Sequence, residues 1–349
     1  MSALPNAKTT THPSLLLAPL PGRGIGTLAT AKIARGTRLV TDAPLLAATN
    51  GQTLNVELFA RSLVGAYAAL SDDGRRRVAA LAAHPEAVKE WMEFFKIEAA
   101  VASAEASAWG GGAGDFATTT TTATTMTFGT EASAATATAT AAAPSSLSVE
   151  ERAHLMAAWT TNCFGINKDE SAAGWAGVIA PRAARFNHSC VPNAMFAWND
   201  AVSAITVQTI KDVEEGEEVT VAYSDTTRAG RKRRESLKRL YGFNCDCSAC
   251  SGDEVMLDDL RWRIKKLKEE LVGRNGKIDG ERAVEMVEEG VKLHEQADLI
   301  GSHLANFYRA AFAATEIRQY LEEELRVRTY CLGNDHPHVK ELTGKLTGL

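Results

Sequence analysis

Two clusters in this chain combine residue types and spacing suited to chemistry. The first is Arg185-Phe186-Asn187-His188-Ser189-Cys190-Val191-Pro192-Asn193. Asn187, His188 and Ser189 offer hydrogen-bond donors and acceptors in three successive positions, and Pro192-Asn193 is a turn signal. Such a polar loop between apolar segments is where binding chemistry tends to sit. A buried, hydrogen-bonded loop without chemistry is the competing reading. The second cluster is Cys245-x-Cys247-x-x-Cys250. A structural zinc takes four ligands in a tetrahedron, so these three thiols need a fourth. Of the spare cysteines, Cys190 is the best candidate because it sits in the polar loop. Cys163 and Cys331 lie in apolar or helical contexts that suit an inert buried thiol. Four thiolates leave no open position, so this zinc is expected to be structural, tying the segment with Phe243 to the loop with Asn187 and His188.

Two weaker signals accompany them. Gly22-Arg23-Gly24-Ile25-Gly26 either lets a ligand approach the backbone closely or forms a tight hairpin. It is not a dinucleotide fingerprint, because no long helix follows it. The basic run over 228–239 reads first as a solvated helix face, with a targeting or nucleic-acid patch as the alternative.

The elements that must carry these residues follow from pattern. A chain of 349 residues has room for two or three domains, and 45% hydrophobic with 23% charged residues is ordinary for a soluble core-forming protein. A formal charge of −5 argues against whole-protein nucleic-acid binding. No apolar run reaches membrane-span length, and the N-terminus lacks a signal-peptide pattern. Six cysteines with three packed together suggest an intracellular protein with one metal site rather than a disulfide framework.

The expected fold class is α+β. Residues 1–14 read as disordered, and 15–50 as short strands broken by glycine. Residues 51–105 carry helical spacings. Residues 106–147 form a Thr/Ala-rich low-complexity insertion that offers nothing for a core. The stretch 148–225 opens with a capping signal at Ser148 and continues as strands. The segment 226–252 is a basic helix followed by the cysteines. The tail, 253–349, is helical throughout, with a turn near 331–339 that resembles those of tetratricopeptide-type repeats.

Four motifs then stand in one order: Gly22-Arg23-Gly24-Ile25, Arg185-Phe186-Asn187-His188-Ser189-Cys190-x-Pro192-Asn193, Gly216-Glu217-Glu218-Val219-x-x-x-Tyr223, and Tyr241-Gly242-Phe243-x-Cys245-x-Cys247-x-x-Cys250. In this order they resemble the SET-domain protein lysine methyltransferases. The split layout, with a long insertion and a helical tail, is similar to the SMYD group. The chain departs from that group in lacking cysteine over 41–150, where a MYND zinc finger belongs, so MYND partner binding is not carried over.

The resemblance implies a SET β-fold split by the insertion, a zinc-bound post-SET segment and a TPR-like C-terminal domain. It implies S-adenosylmethionine-dependent methylation of a protein lysine, with histones among the open substrate classes. Tyr223 matches the catalytic tyrosine, which also borders the cofactor. Gly22, Arg23, Gly24, Asn187 and His188 match cofactor-holding positions. Phe243 matches the aromatic that closes over the adenine, Asn162 an asparagine near the cofactor, and Phe164 a lining residue of the lysine channel. Cys190, Cys245, Cys247 and Cys250 match the zinc ligands. A catalytically silent scaffold that binds a protein through its helical tail is the alternative. Nucleus and cytoplasm both remain open, and neither a membrane nor a nucleic-acid partner is expected.

Overall fold

The computed structural model describes residues 8–50, 56–108, 147–166, 175–273 and 280–348. In chain order, strands β1 (Thr10–Thr11), β2 (Leu15–Leu20), β3 (Gly24–Ala29), β4 (Arg38–Asp42) and β5 (Leu46–Asn50) lead to helices α1 (Val56–Ala68), α2 (Asp72–Ala79) and α3 (Pro85–Ala108). Next come α4 (Val149–Asn162), β6 (Cys163–Gly165), β7 (Trp175–Ile179), β8 (Asn187–His188), β9 (Ala194–Asn199), β10 (Ala204–Thr209) and β11 (Glu218–Val221). The rest is helical: α5 (Gly230–Tyr241), the single turn α6 (Ser248–Ser251), α7 (Glu254–Gly273), α8 (Gly280–Gln296), α9 (Ser302–Thr315), α10 (Arg318–Leu332) and α11 (Pro337–Thr347).

The chain forms two compact units. One contains Pro44–Ile179. Its sheet runs β5-β7-β6, and α1, α2 and α3 pack on α4. The Ser148 signal holds: its hydroxyl accepts from the Glu151 amide at 3.2 Å, and the Glu151 carboxylate accepts from the Ser148 amide at 2.8 Å. That reciprocal cap satisfies two N–H groups that a helix start leaves without partners. Trp159 and Phe95 are fully buried in this unit.

The other unit contains Ala7–Ala43 and Ala180–Leu349. It holds two four-stranded sheets, β1-β4-β10-β9 and β2-β3-β11-β8. The β11–β8 pair is parallel, with Thr220 opposite Asn187 and Val221 opposite His188. Asn193 rivets the loop between β8 and β9. Its amide nitrogen donates to Glu217 Oε1 (2.8 Å) and to the Glu218 carbonyl (2.9 Å), and its Oδ1 accepts from the Thr220 amide (2.8 Å). The helices α7–α11 pack on one another in sequence, and α10 packs on β9 and β10. Arg38 of β4 clasps Asp335 with two guanidinium N–H bonds at 2.7 and 2.5 Å, and Asn199 donates to the same carboxylate.

One expectation needs correction. Residues 8–14 are not disordered: Thr10 and Thr11 pair with Thr41 and Val40, which gives the backbone polar groups of this stretch partners. Residues 1–7, and 109–146 of the low-complexity insertion, lie outside the described residues. All six residues of β10 are buried. β4 and β9 flank it within the sheet, and α10 packs on it. No helix among the described residues is long and apolar enough to cross a membrane.

Candidate active site and metal centre

The four sequence motifs meet around β8 and β11. Gly22 and Gly24 both have φ of +71°, the left-handed region where glycine avoids the Cβ clash. They flank Arg23 on the turn between β2 and β3. From there the guanidinium donates to the His188 carbonyl (2.9 Å) and to Asp246 Oδ1 (3.1 Å), and its Nε lies 3.0 Å from Glu218 Oε2. Asn187 Nδ2 donates to the other Glu218 oxygen at 2.8 Å. One arginine thus joins the first hairpin, β8, β11 and the cysteine segment.

Tyr223 lies two residues past β11. Its backbone N–H donates to His188 Nδ1 (2.9 Å), and its hydroxyl donates to the Phe186 carbonyl (2.8 Å). The Tyr223 ring lies 4.8 Å from Tyr241, 5.4 Å from His188 and 6.4 Å from Phe243. Burial raises the pKa of the Tyr223 phenol above its ordinary value. At neutral pH the phenol therefore stays protonated and serves as an oriented donor, not a base.

The His188 ring is fixed by two contacts. Its Nδ1 accepts an amide N–H, so the neutral ring carries its proton on Nε2, 3.3 Å from Cys190 Sγ. Burial holds its pKa down at about 4, so the ring is neutral at physiological pH. The imidazole thus faces the tyrosine and the cysteines, and the His188 carbonyl faces Arg23.

The four sulfurs of Cys190, Cys245, Cys247 and Cys250 lie within 4.8 Å of one another. The Cys190–Cys250 separation is 3.7 Å. A tetrahedron with zinc–sulfur bonds of 2.3 Å has edges of about 3.8 Å, so the donor set suits zinc. Cys247 caps the single turn α6, and its carbonyl accepts the Cys250 amide at 2.7 Å, which folds the two thiols to one side. Cys247 Sγ accepts the Cys190 amide at 3.4 Å, and the neighbouring thiols, Cys190 first, pull its pKa far down. The buried Arg233 donates from Nε to Cys190 Sγ at 3.4 Å. Cys331 is buried among the C-terminal helices instead, and burial pushes its thiol up to about 12. Cys163 lies in the Pro44–Ile179 unit, with its thiol likewise raised to about 12.

Asn162 and Phe164 also belong to that unit. The Asn162 amide donates to the carbonyls of Ala82 (2.6 Å) and Ala158 (2.7 Å), and Phe164 is buried in β6. Three residues of the cluster carried no role in the sequence reading: Glu218, Tyr241 and Arg233. The first two stand inside the quoted motifs. Arg233 precedes the core residue Leu237 by one helical turn and so shares its face. Beyond Tyr223, the buried side of Ala222, Ser224 and Thr226 borders a cavity of about 220 Å³. Met195, Phe196, residues 298–301 and the start of α9 close it, and His303 Nε2 meets Thr226 Oγ1 at 3.1 Å.

Parts of the chain are similar to known proteins. Histone-lysine N-methyltransferase set5 of Schizosaccharomyces pombe is 39% identical over 20% of this chain and 22% of its own. N-lysine methyltransferase SMYD2 of Gallus gallus is 33% identical over 31% of this chain and 24% of its own. Histone-lysine N-methyltransferase ASHR2 of Arabidopsis thaliana is 34% identical over 31% of this chain and 29% of its own. The chain therefore spans less than a third of the length of these relatives. A structure of Rubisco LSMT bound to AdoMet aligns over 97% of this chain and 88% of that one, at 12% identity and a TM-score of 0.35, too low to support inference. The SET domain family model matches residues 24–224, more than half of the 349 residues, and the chain belongs to the SET-domain family.

Proposed function

We propose that this protein is an S-adenosylmethionine-dependent protein-lysine N-methyltransferase of the SMYD-like type. The observation that carries the reading is the convergence of the Gly22-Arg23-Gly24 turn, Asn187, Glu218 and the Tyr223–Tyr241–Phe243 rings on one end of β8 and β11. When bound, S-adenosylmethionine supplies an electrophilic methyl for in-line displacement by an amine.

The chain's own residues have separable tasks in this reading. Open space over Gly22 and Gly24 leaves room for a flat group against the backbone beside Arg23. Asn187 and the His188 carbonyl offer one donor and one acceptor, and Glu218 offers a carboxylate to a cationic amino group. The rings of Tyr223, Tyr241 and Phe243 exclude water from a lysine amine, which favours its neutral, nucleophilic form. The protonated Tyr223 hydroxyl orients the amine and leaves the proton to depart to solvent. The cavity beside Ser224 and Thr226, lined largely by apolar side chains, suits an apolar residue of the protein segment that carries the lysine.

Zinc at Cys190, Cys245, Cys247 and Cys250 would hold the Phe243 segment against β8. The serial packing of α7–α11 and the turn at Gly333, with φ of +88°, support a tetratricopeptide-like platform for a protein partner. Histones and other proteins are substrate candidates, and the reduced thiol cluster fits nucleus or cytoplasm.

Incubation with tritiated-methyl S-adenosylmethionine and cell extract tests the assignment. A labelled protein band that yields methyl-lysine on digestion supports it. The absence of any labelled lysine, with the protein folded, would refute it and favour the silent-scaffold reading.

A further inference from the structure

Two buried arginines near the cysteine cluster lack adequate partners among the described residues: Arg233 donates to Cys190 Sγ, and Arg261 shares Asp258 with Arg233 and feels the charge of Cys190 and Cys250. Arg233 of α5 is fully buried; its Nη1 donates to the Arg228 carbonyl and lies 3.6 Å from Asp258, while its Nη2 has no hydrogen-bond partner. Arg261 of α7 is 2% exposed, and none of its three guanidinium nitrogens has a hydrogen-bond partner among the described residues. Its closest carboxylate is again Asp258, at 3.8 Å. Both Asp258 oxygens meanwhile accept the Gly230 amide, at 3.0 and 2.9 Å, at the N-terminal end of α5. The helix N-terminus already answers that carboxylate's charge. The other nearby pair, Arg234 with Glu254 at 2.7 Å, is balanced within itself.

Burying two guanidinium ions without a matching charge is strongly unfavourable. A divalent zinc with four thiolates carries a net charge of 2−, equal and opposite to the two arginines. Arg233 Nε already donates to one of the sulfurs. Arginine suits this place better than lysine, because its diffuse, weakly hydrated cation costs less to bury. Outer partners of this kind tune metal affinity.

We propose that Arg233 and Arg261 are the charge-balancing positioning residues of a zinc–tetrathiolate centre, so that the first helix of the C-terminal region contributes to holding the metal. This rests on the zinc reading above. Among the described residues no other carboxylate lies within ion-pair distance of Arg261, which distinguishes it from the surface arginines of α7, such as Arg263 with Glu289 at 2.7 Å.

Zinc competition against a metallochromic chelator, on the full chain, tests the proposal. Wild type should hold one zinc per chain. Arg261→Met should weaken zinc roughly 10-fold or more, the usual effect of losing an outer partner, and Arg261→Lys should recover most of it. Asp258→Asn should act in the opposite direction and tighten zinc, because it frees the arginines from a competing anion. A merely structural role would loosen the site in both variants. Zinc affinity unchanged in Arg261→Met, or weakened or unchanged in Asp258→Asn, would overturn the assignment of the arginines while leaving the metal in place. Should Arg261→Met fail to fold, Asp258→Asn alone decides, by the same criterion. A wild-type protein that binds no zinc would overturn both the metal reading and this one.

Discussion

Asn187 and Glu218 lie against the first hairpin because residue 26 has no side chain. A Cβ there would stand 2.4 Å from Leu20 Cδ1 and 2.8 Å from both Asn187 Nδ2 and Glu218 Oε1. Gly26→Ala should therefore destabilise the protein by about 1–3 kcal/mol, the usual cost of overpacking. A urea midpoint equal to wild type would contradict this packing. Asn187→Ala should weaken S-adenosylmethionine binding by about 10-fold or more, the scale of a lost hydrogen bond to a charged group. Calorimetry that finds equal affinities in the two proteins would remove Asn187 from the cofactor site. At this scale the sequence carried residue identity better than orientation. Asn187, Tyr223 and the cysteines stand in recognisable motifs. The partners of Glu218 and the direction of the His188 ring depend on a parallel pairing of strands thirty residues apart, which no local pattern records.

Helix α5 shows both the strength and the limit of reading elements from periodicity. Its basic run does produce a solvated face, with Arg231, Lys232, Lys238 and Arg239 exposed. The same run also hides Arg233 one turn before Leu237, and only spacing, not charge, distinguishes it. The cysteine segment was more legible, because three thiols within six residues leave few alternatives. Cys163→Ser should leave the zinc content of the protein unchanged, and Cys250→Ser should abolish stoichiometric zinc. Elemental analysis of the two variants checks both, and loss of zinc in Cys163→Ser would contradict the ligand set.

In α8, His294 is buried with Nδ1 donating to the Gly290 carbonyl at 2.7 Å, and burial lowers its pKa from 6.5 to about 4. The unfolded chain binds this proton more readily, so the neutral ring's contribution is complete above pH 6.5 and is lost as pH falls towards 4. The slope over that window should be on the order of 3 kcal/mol in total, and His294→Gln should flatten it. An unchanged slope in denaturation experiments between pH 6.5 and 4 would show that His294 does not set it.

Across the whole molecule, the SET match over 24–224 draws on both compact units, and the helical C-terminal region follows it. The broad architecture was legible because glycine-broken strands, a cysteine-rich segment and long amphipathic helices occupy separate stretches of chain. The order of residues 8–14 was not, since a two-residue strand is fixed by pairing with β4 rather than by its own composition. Asn162 and Phe164 lie in one unit and Arg23, Asn187 and Tyr223 in the other. The family match thus takes in residues of both units.

The proposed reaction assigns its central role to Tyr223, whose hydroxyl donates to the Phe186 carbonyl at 2.8 Å and is kept protonated by burial. The most direct measurement is single-turnover methyl transfer by wild type and Tyr223→Phe, with S-adenosylmethionine affinity determined in parallel. Removing one oxygen leaves the ring contacts in place, so cofactor affinity should change little while the rate falls on the order of 100-fold, as when one preorganised donor is lost. A Tyr223→Phe protein that transfers methyl groups at the wild-type rate would contradict the assignment of this tyrosine to the reaction.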